Sequence, residues 1–192
     1  MFKGNKKIIS KWYIVSFGVI FLGVIMGALY YTYSFFNASE VKNYLDGYLN
    51  TLRQGMNFQS VIKTSIKSYL IIFILITISG FFKWGKFLSF FILIRKGFIS
   101  AFTTSALINT YGIGGVALSL SYILQITILI PILAVFTSMA IFTSENKAKL
   151  EKRDKIIYII FCVVVFTIFC GCAVFEGILS TTFMKWVAYK VT

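Results

Sequence analysis

The sequence predicts an all-α, polytopic integral membrane protein with about five transmembrane helices and an amphipathic helix in the first extracytoplasmic loop. Three observations predict it. Of the 192 residues 58% are hydrophobic and one is proline, and the mean hydropathy is +0.86. Too little polar surface exists to cover such a chain in water. The apolar residues gather into five stretches, and nearly all charges fall between them. Each stretch can supply most or all of the roughly 20 residues of a membrane-crossing helix, which satisfies every backbone N–H and C=O within itself.

The first span is read at 12–36, after Lys3, Lys6, Lys7 and Lys11. Trp12 and Tyr13 mark one end and Tyr30, Tyr31 and Tyr33 the other. About 21 residues between these aromatic ends match a slab of roughly 30 Å at 1.5 Å per residue. A cleaved signal peptide is the rival reading. The long apolar region and the lack of a small-x-small site before Asn37 favour an uncleaved span.

Residues 37–60 form a polar loop in which Val41, Tyr44, Leu45, Tyr48, Leu49 and Leu52 recur at helical spacing, with Glu40, Lys42 and Asp46 elsewhere. Asn37 with Glu40 three positions on suggests a capped start. Three placements are open for the apolar stripe: on the membrane surface, against a partner helix, or folded back on the protein's own spans.

The second span is read at 61–82, its apolar run being clearest from Tyr69 and extended by Val61, Ile62 and Ile66. Lys83-Trp84-Gly85-Lys86 turns into a third span at 87–109, and Tyr111 to Gly115 makes a tight turn into a fourth at 116–142. Pro131 should kink the fourth span by removing the donor to the Thr127 carbonyl. A cytoplasmic linker at 144–155 precedes the fifth span, 156–183. With the N-terminus inside, eleven Lys and Arg lie on the cytoplasmic side against six outside, so the C-terminus is expected outside. The whole chain, 1–192, reads as one membrane domain without internal repeats.

The formal charge of +13 would suggest nucleic acid in a soluble protein. Here it fits retention of cations at the cytoplasmic face, and no nucleic-acid partner is expected. Cys162, Cys170 and Cys172 all fall in the last apolar stretch and read as packing residues. Histidine is absent, which removes the commonest metal ligand and general base. No nucleotide loop, metal set or nucleophile with a base can be assembled, so neither an enzyme nor a cofactor is expected.

One carboxylate breaks the charge pattern. Glu176 lies inside the fifth span, where it must be paired, protonated or facing water. Arg95 and Lys96 are cations near the middle of a span. A pair with Glu176 is one proposal, although the span limits set Arg95 about 5 Å and Glu176 about 9 Å to opposite sides of the midplane. Gly23 and Gly27 have a spacing that lets another helix approach closely, in this chain or in a homodimer, and Ser121 and Gln125 share a face of the fourth span.

The run Arg95-Lys96-Gly97-Phe98-Ile99-Ser100-Ala101-Phe102, followed by Asn109-Thr110-Tyr111-Gly112-Ile113-Gly114-Gly115, closely resembles the central segment of the stage II sporulation protein M family. Ser121 to Gln125, with Pro131 six residues after the glutamine, is similar to the family's Pro-Gln-Asn region. Glu176 falls where members carry a glutamate in the last span. The chain departs from the pattern at Leu124, where many relatives have proline, and at Ile126, where they have asparagine.

The resemblance implies a non-enzymatic scaffold for engulfment during endospore formation. It would sit in the mother-cell membrane at the septum and anchor the peptidoglycan-degrading proteins SpoIID and SpoIIP. Contact surfaces are then expected on the amphipathic helix, at Tyr44, Leu45 and Tyr48, and at the outer turn, at Tyr111 and Gly112. Glu176, Arg95, Lys96, Gly97, Gln125 and Pro131 are expected in structural or coupling roles. A permease-like transporter subunit, with Glu176, Arg95, Gln125 and Pro131 along a path, is the competing reading.

Overall fold

The computed structural model describes residues 6–33, 38–54, 57–82, 84–146 and 152–190. Among them there are helices and turns and no strands. In chain order the helices are α1 (Lys6–Tyr33), α2 (Ala38–Gln54), α3 (Phe58–Ser79), α4 (Gly85–Tyr111), α5 (Ile113–Glu145), α6 (Lys152–Ile178), a π-helical segment (Leu179–Met184) and α7 (Lys185–Lys190). Five of them, α1 and α3 to α6, are long and apolar enough to cross a membrane. The protein is a multi-pass membrane protein.

The helices begin earlier than the spans read from the sequence. α1, α3 and α6 each start several residues ahead of 12, 61 and 156, on Lys6, Phe58 and Lys152. Hydropathy marks where lipid begins, whereas a helix continues through polar residues in the headgroup layer for as long as its backbone bonds can form. Asn57 sets the start of α3, its side chain accepting from the Gln59 backbone N–H at 3.0 Å. The expected cap at Asn37 lies outside the described residues. α6 ends as an α-helix at Ile178, and 179–184 continue as π-helix within the range read as span.

α5 is the central post. In its apolar window 61% of residues are buried, against 17–33% in the other four spans. α1 packs on α4 and α5, α3 on α6 and α4, and α6 on α5. Two seams differ in kind. Along α1–α4, Gly23, Gly27 and Gly97 bring the backbones together: a Cβ at Gly23 would overlap the Ile94 carbonyl, one at Gly27 that of Phe98, and one at Gly97 that of Ile20. The Gly-x-x-x-Gly spacing is therefore used within the chain, so this face is not free for a homodimer. Along α3–α6 the filling is aromatic, with Tyr69, Phe73, Phe166 and Phe169, joined by Phe136 of α5, at centroid distances of 5.2–6.4 Å.

The two ends of the bundle are fastened differently. At one end the Trp12 indole donates to Glu145 at 3.1 Å and Lys86 pairs with Glu145 at 3.5 Å, tying α1, α4 and α5. There the Ser79 and Ser89 hydroxyls meet at 2.6 Å, and Ser144 donates to the Phe82 carbonyl. At the other end α2 lies on the bundle. Leu45 and Leu49 pack with Ala106 and Leu107 of α4, Leu118 of α5 and Val187 of α7. Of the three placements open to its apolar stripe, the structure takes the third, against the protein's own helices. The amphipathic helix answers to the expected one in position and pattern.

Candidate functional site

A helical side chain leans toward its helix's N-terminus, so a glutamate near the end of α6 reaches back along the bundle. Glu176 does so: its Oε2 accepts from the Tyr69 hydroxyl of α3 at 3.0 Å. Gly177, beside it, lets α6 close on Ile62 and Phe58 at the start of α3. Tyr69 is buried, and its ring carries the Lys96 ammonium 5.8 Å from the centroid. The lysine and the glutamate thus meet through one aromatic ring, the phenol bonding the acid at its edge and the π-face receiving the cation.

The arrangement accounts for the depth gap that argues against direct pairing. A tyrosine spans what neither charged side chain spans alone. Among the described residues Glu176 makes no ion pair within contact distance. Arg95, next to Lys96, is exposed where Lys96 is half-buried. It lines a cleft of about 270 Å³ between α3 and α4 with Lys96, Ser68, Ile71, Ile72, Ile92 and Ile99. Gly97, the third residue of that run, belongs to the α1–α4 seam.

The other residues singled out from the sequence are scattered. Pro131 lies exposed on α5, which is helical without interruption through it. The side chains of Gln125, Ser121 and Tyr48 lie outside the described residues. Tyr44 is 79% exposed whereas Leu45, one position on, is 7% exposed. Leu45 is therefore a docking residue of α2 and not a free contact surface. Tyr111 is also engaged, donating to Asp46 of α2 at 2.7 Å, and Asn109 donates to Tyr31 at 3.1 Å.

Gly112 is the single residue between α4 and α5, at φ +53° and ψ −124°. An L side chain is strained there, so the tight turn requires glycine. Ile113 beside it is 91% exposed.

Two residues escape sequence reasoning. Tyr69 marks in the sequence only the start of the clearest apolar run of the second span; the packing of α3 on α6 shows its role. Asp154 falls in the segment read as a charged linker, yet it is buried in the first turn of α6, its Oδ2 without a hydrogen-bond partner among the described residues. No group of three or more metal-binding side chains occurs among the described residues. No family model, curated protein or solved structure matches the chain.

Proposed function

We propose that the chain is a non-enzymatic membrane scaffold that anchors a peptidoglycan-degrading complex during engulfment in endospore formation, with SpoIID and SpoIIP as its partners. The resemblance of residues 95–115 to the stage II sporulation protein M family motivates this reading. The observation that carries it is the mounting of α2. That helix is clamped to one end of the bundle by Leu45, Leu49 and the Asp46–Tyr111 hydrogen bond, while Tyr44 projects from it. A rigid helix with an outward aromatic, on a bundle anchored in lipid, offers position and adhesion. Tyrosine is a residue type enriched at such contacts.

With the N-terminus cytoplasmic, as the eleven-against-six distribution of Lys and Arg favours, α2 faces the wall at the septal membrane of the mother cell, where such partners work. Affinity capture from sporulating cells in mild detergent tests the proposal. Tyr44→Ser should lose the peptidoglycan hydrolases while the scaffold's own level in the membrane is unchanged. Undiminished recovery of hydrolases by this variant contradicts the role of α2.

A permease-like subunit of a transporter is the second reading, favoured by one observation: the charged cleft at Arg95 lies within a span. It requires solute flux through reconstituted protein, and capture of an ATPase in place of hydrolases.

A further inference from the structure

The outer surface of α3 is not uniformly apolar. Ser60, Lys63, Thr64, Lys67 and Ser68 are all exposed, and beyond Phe58 the next large apolar side chain in the open is Leu70. Lys63 and Lys67 stand four residues apart and continue into Ile71; Thr64 and Ser68 form the next row and continue into Ile72. Both rows run down α3 into the cleft lined by Arg95 and Lys96. Lys63 and Lys67 lie toward the outer end of the bundle and Arg95 about 15 Å from the start of α4 at the other end, so this strip runs from the outer membrane face inward to mid-span.

Cations at such depth are costly unless something neutralises them. Lys96 shares the ring of Tyr69 with Glu176. Arg95, Lys63 and Lys67 have no carboxylate in ion-pairing distance among the described residues. The cleft opens sideways, for Ile71 and Ile99 on its walls are 47% and 41% exposed. A ligand that fits must bring a negative charge to Arg95 and present hydrocarbon to the isoleucines. A second copy of the chain, packed by the same face, would bring like charges together.

We propose that this cleft binds an anionic phospholipid, its phosphate held by Arg95 with Ser68 and Lys96, and its headgroup admitted along the Lys63–Lys67 row. A phosphate diester supplies the charge and the acyl chains lie on Ile71 and Ile99. The site is independent of the scaffold reading, since neither α2 nor a wall partner takes part.

The test uses the full-length chain, delipidated in detergent and titrated with phosphatidylglycerol or phosphatidylcholine, with bound lipid counted by native mass spectrometry. Wild type should retain phosphatidylglycerol preferentially. Arg95→Gln should weaken that retention about fivefold, and Lys67→Gln about twofold to fivefold, as expected for one cation each. Lys42→Gln, on α2, should leave it unchanged. Inorganic phosphate at millimolar concentration should not displace the lipid.

Equal retention of the two lipids by wild type overturns the proposal. Displacement by inorganic phosphate does so too, as does cross-linking of two copies through Ile71→Cys with lipid excluded. A thermal melt checks the fold of Arg95→Gln. If that variant does not fold, Lys67→Gln, altered only on an exposed face, decides, and unchanged preference there is contrary evidence.

Discussion

The α1–α4 seam and the α3–α6 seam solve one problem by opposite means. Lipid is as apolar as leucine, so burying hydrophobic surface gives no net drive for two helices to associate within it. Along α1–α4 the drive is contact: three glycines remove the side chains and the backbones touch. Along α3–α6 it is shape and polarity, with packed aromatics on one of which a hydroxyl, a carboxylate and the ammonium of Lys96 from α4 meet. The first seam tolerates almost no added atom, whereas the second has flexible members and should tolerate loss of any single one.

The contrast can be broken most sharply at Gly97. An isoleucine there would drive its Cβ into the Ile20 carbonyl, a backbone atom that cannot swing aside. Overpacking of this kind costs about 3 kcal/mol. Gly97→Ile should fail to give monodisperse protein in detergent, as read by size-exclusion profile and thermal melt.

α2 caps the end of the first seam, because Leu45 and Leu49 share a cluster with Ala106 and Leu107 of α4, Leu118 of α5 and Val187 of α7, with Tyr31 of α1 at its edge. Leu45→Ala should weaken that docking by about 2 kcal/mol. Protease cleavage or hydrogen exchange within 38–54 should rise while the five spans stay protected. Tyr44→Ala, one residue away but exposed, should leave both unchanged.

The smallest effect belongs to the second seam. Tyr69→Phe keeps the ring beneath Lys96 and removes only the hydroxyl that Glu176 accepts from. An interhelical hydrogen bond in a membrane averages about 0.6 kcal/mol, so a small drop in melting temperature is expected. Combined with Glu176→Gln, the change should be less than additive, since both variants alter one bond.

Much of this fold is legible in the amino-acid sequence. Hydropathy locates five spans because each needs about 20 apolar residues. The spacing of Val41, Leu45 and Leu49 marks α2 as amphipathic. Periodicity gives a helix its apolar face but no partner, so the fold-back of α2 onto Ala106 and Leu107 is one placement of three. For the same reason Leu45 reads as a contact surface when it is a docking residue.

Glu176 stands out because a carboxylate in a span is rare, and Lys96 and Arg95 because they are the cations available. Which of the two approaches the acid depends on helix rotation, and the bridging Tyr69 depends on α3 packing beside α6. Neither is encoded locally. Asp154 escapes notice because a linker rich in lysine gives no sign that one of its acids turns inward.

The claim most open to refutation is that Glu176 holds helices together and does not carry a solute. Purified Glu176→Gln should be compared with wild type in two assays: thermal melting in detergent, and solute efflux from proteoliposomes. The variant should melt at a lower temperature, and both proteins should show the same low permeability. Wild-type flux abolished by Glu176→Gln, with melting unchanged, would contradict it.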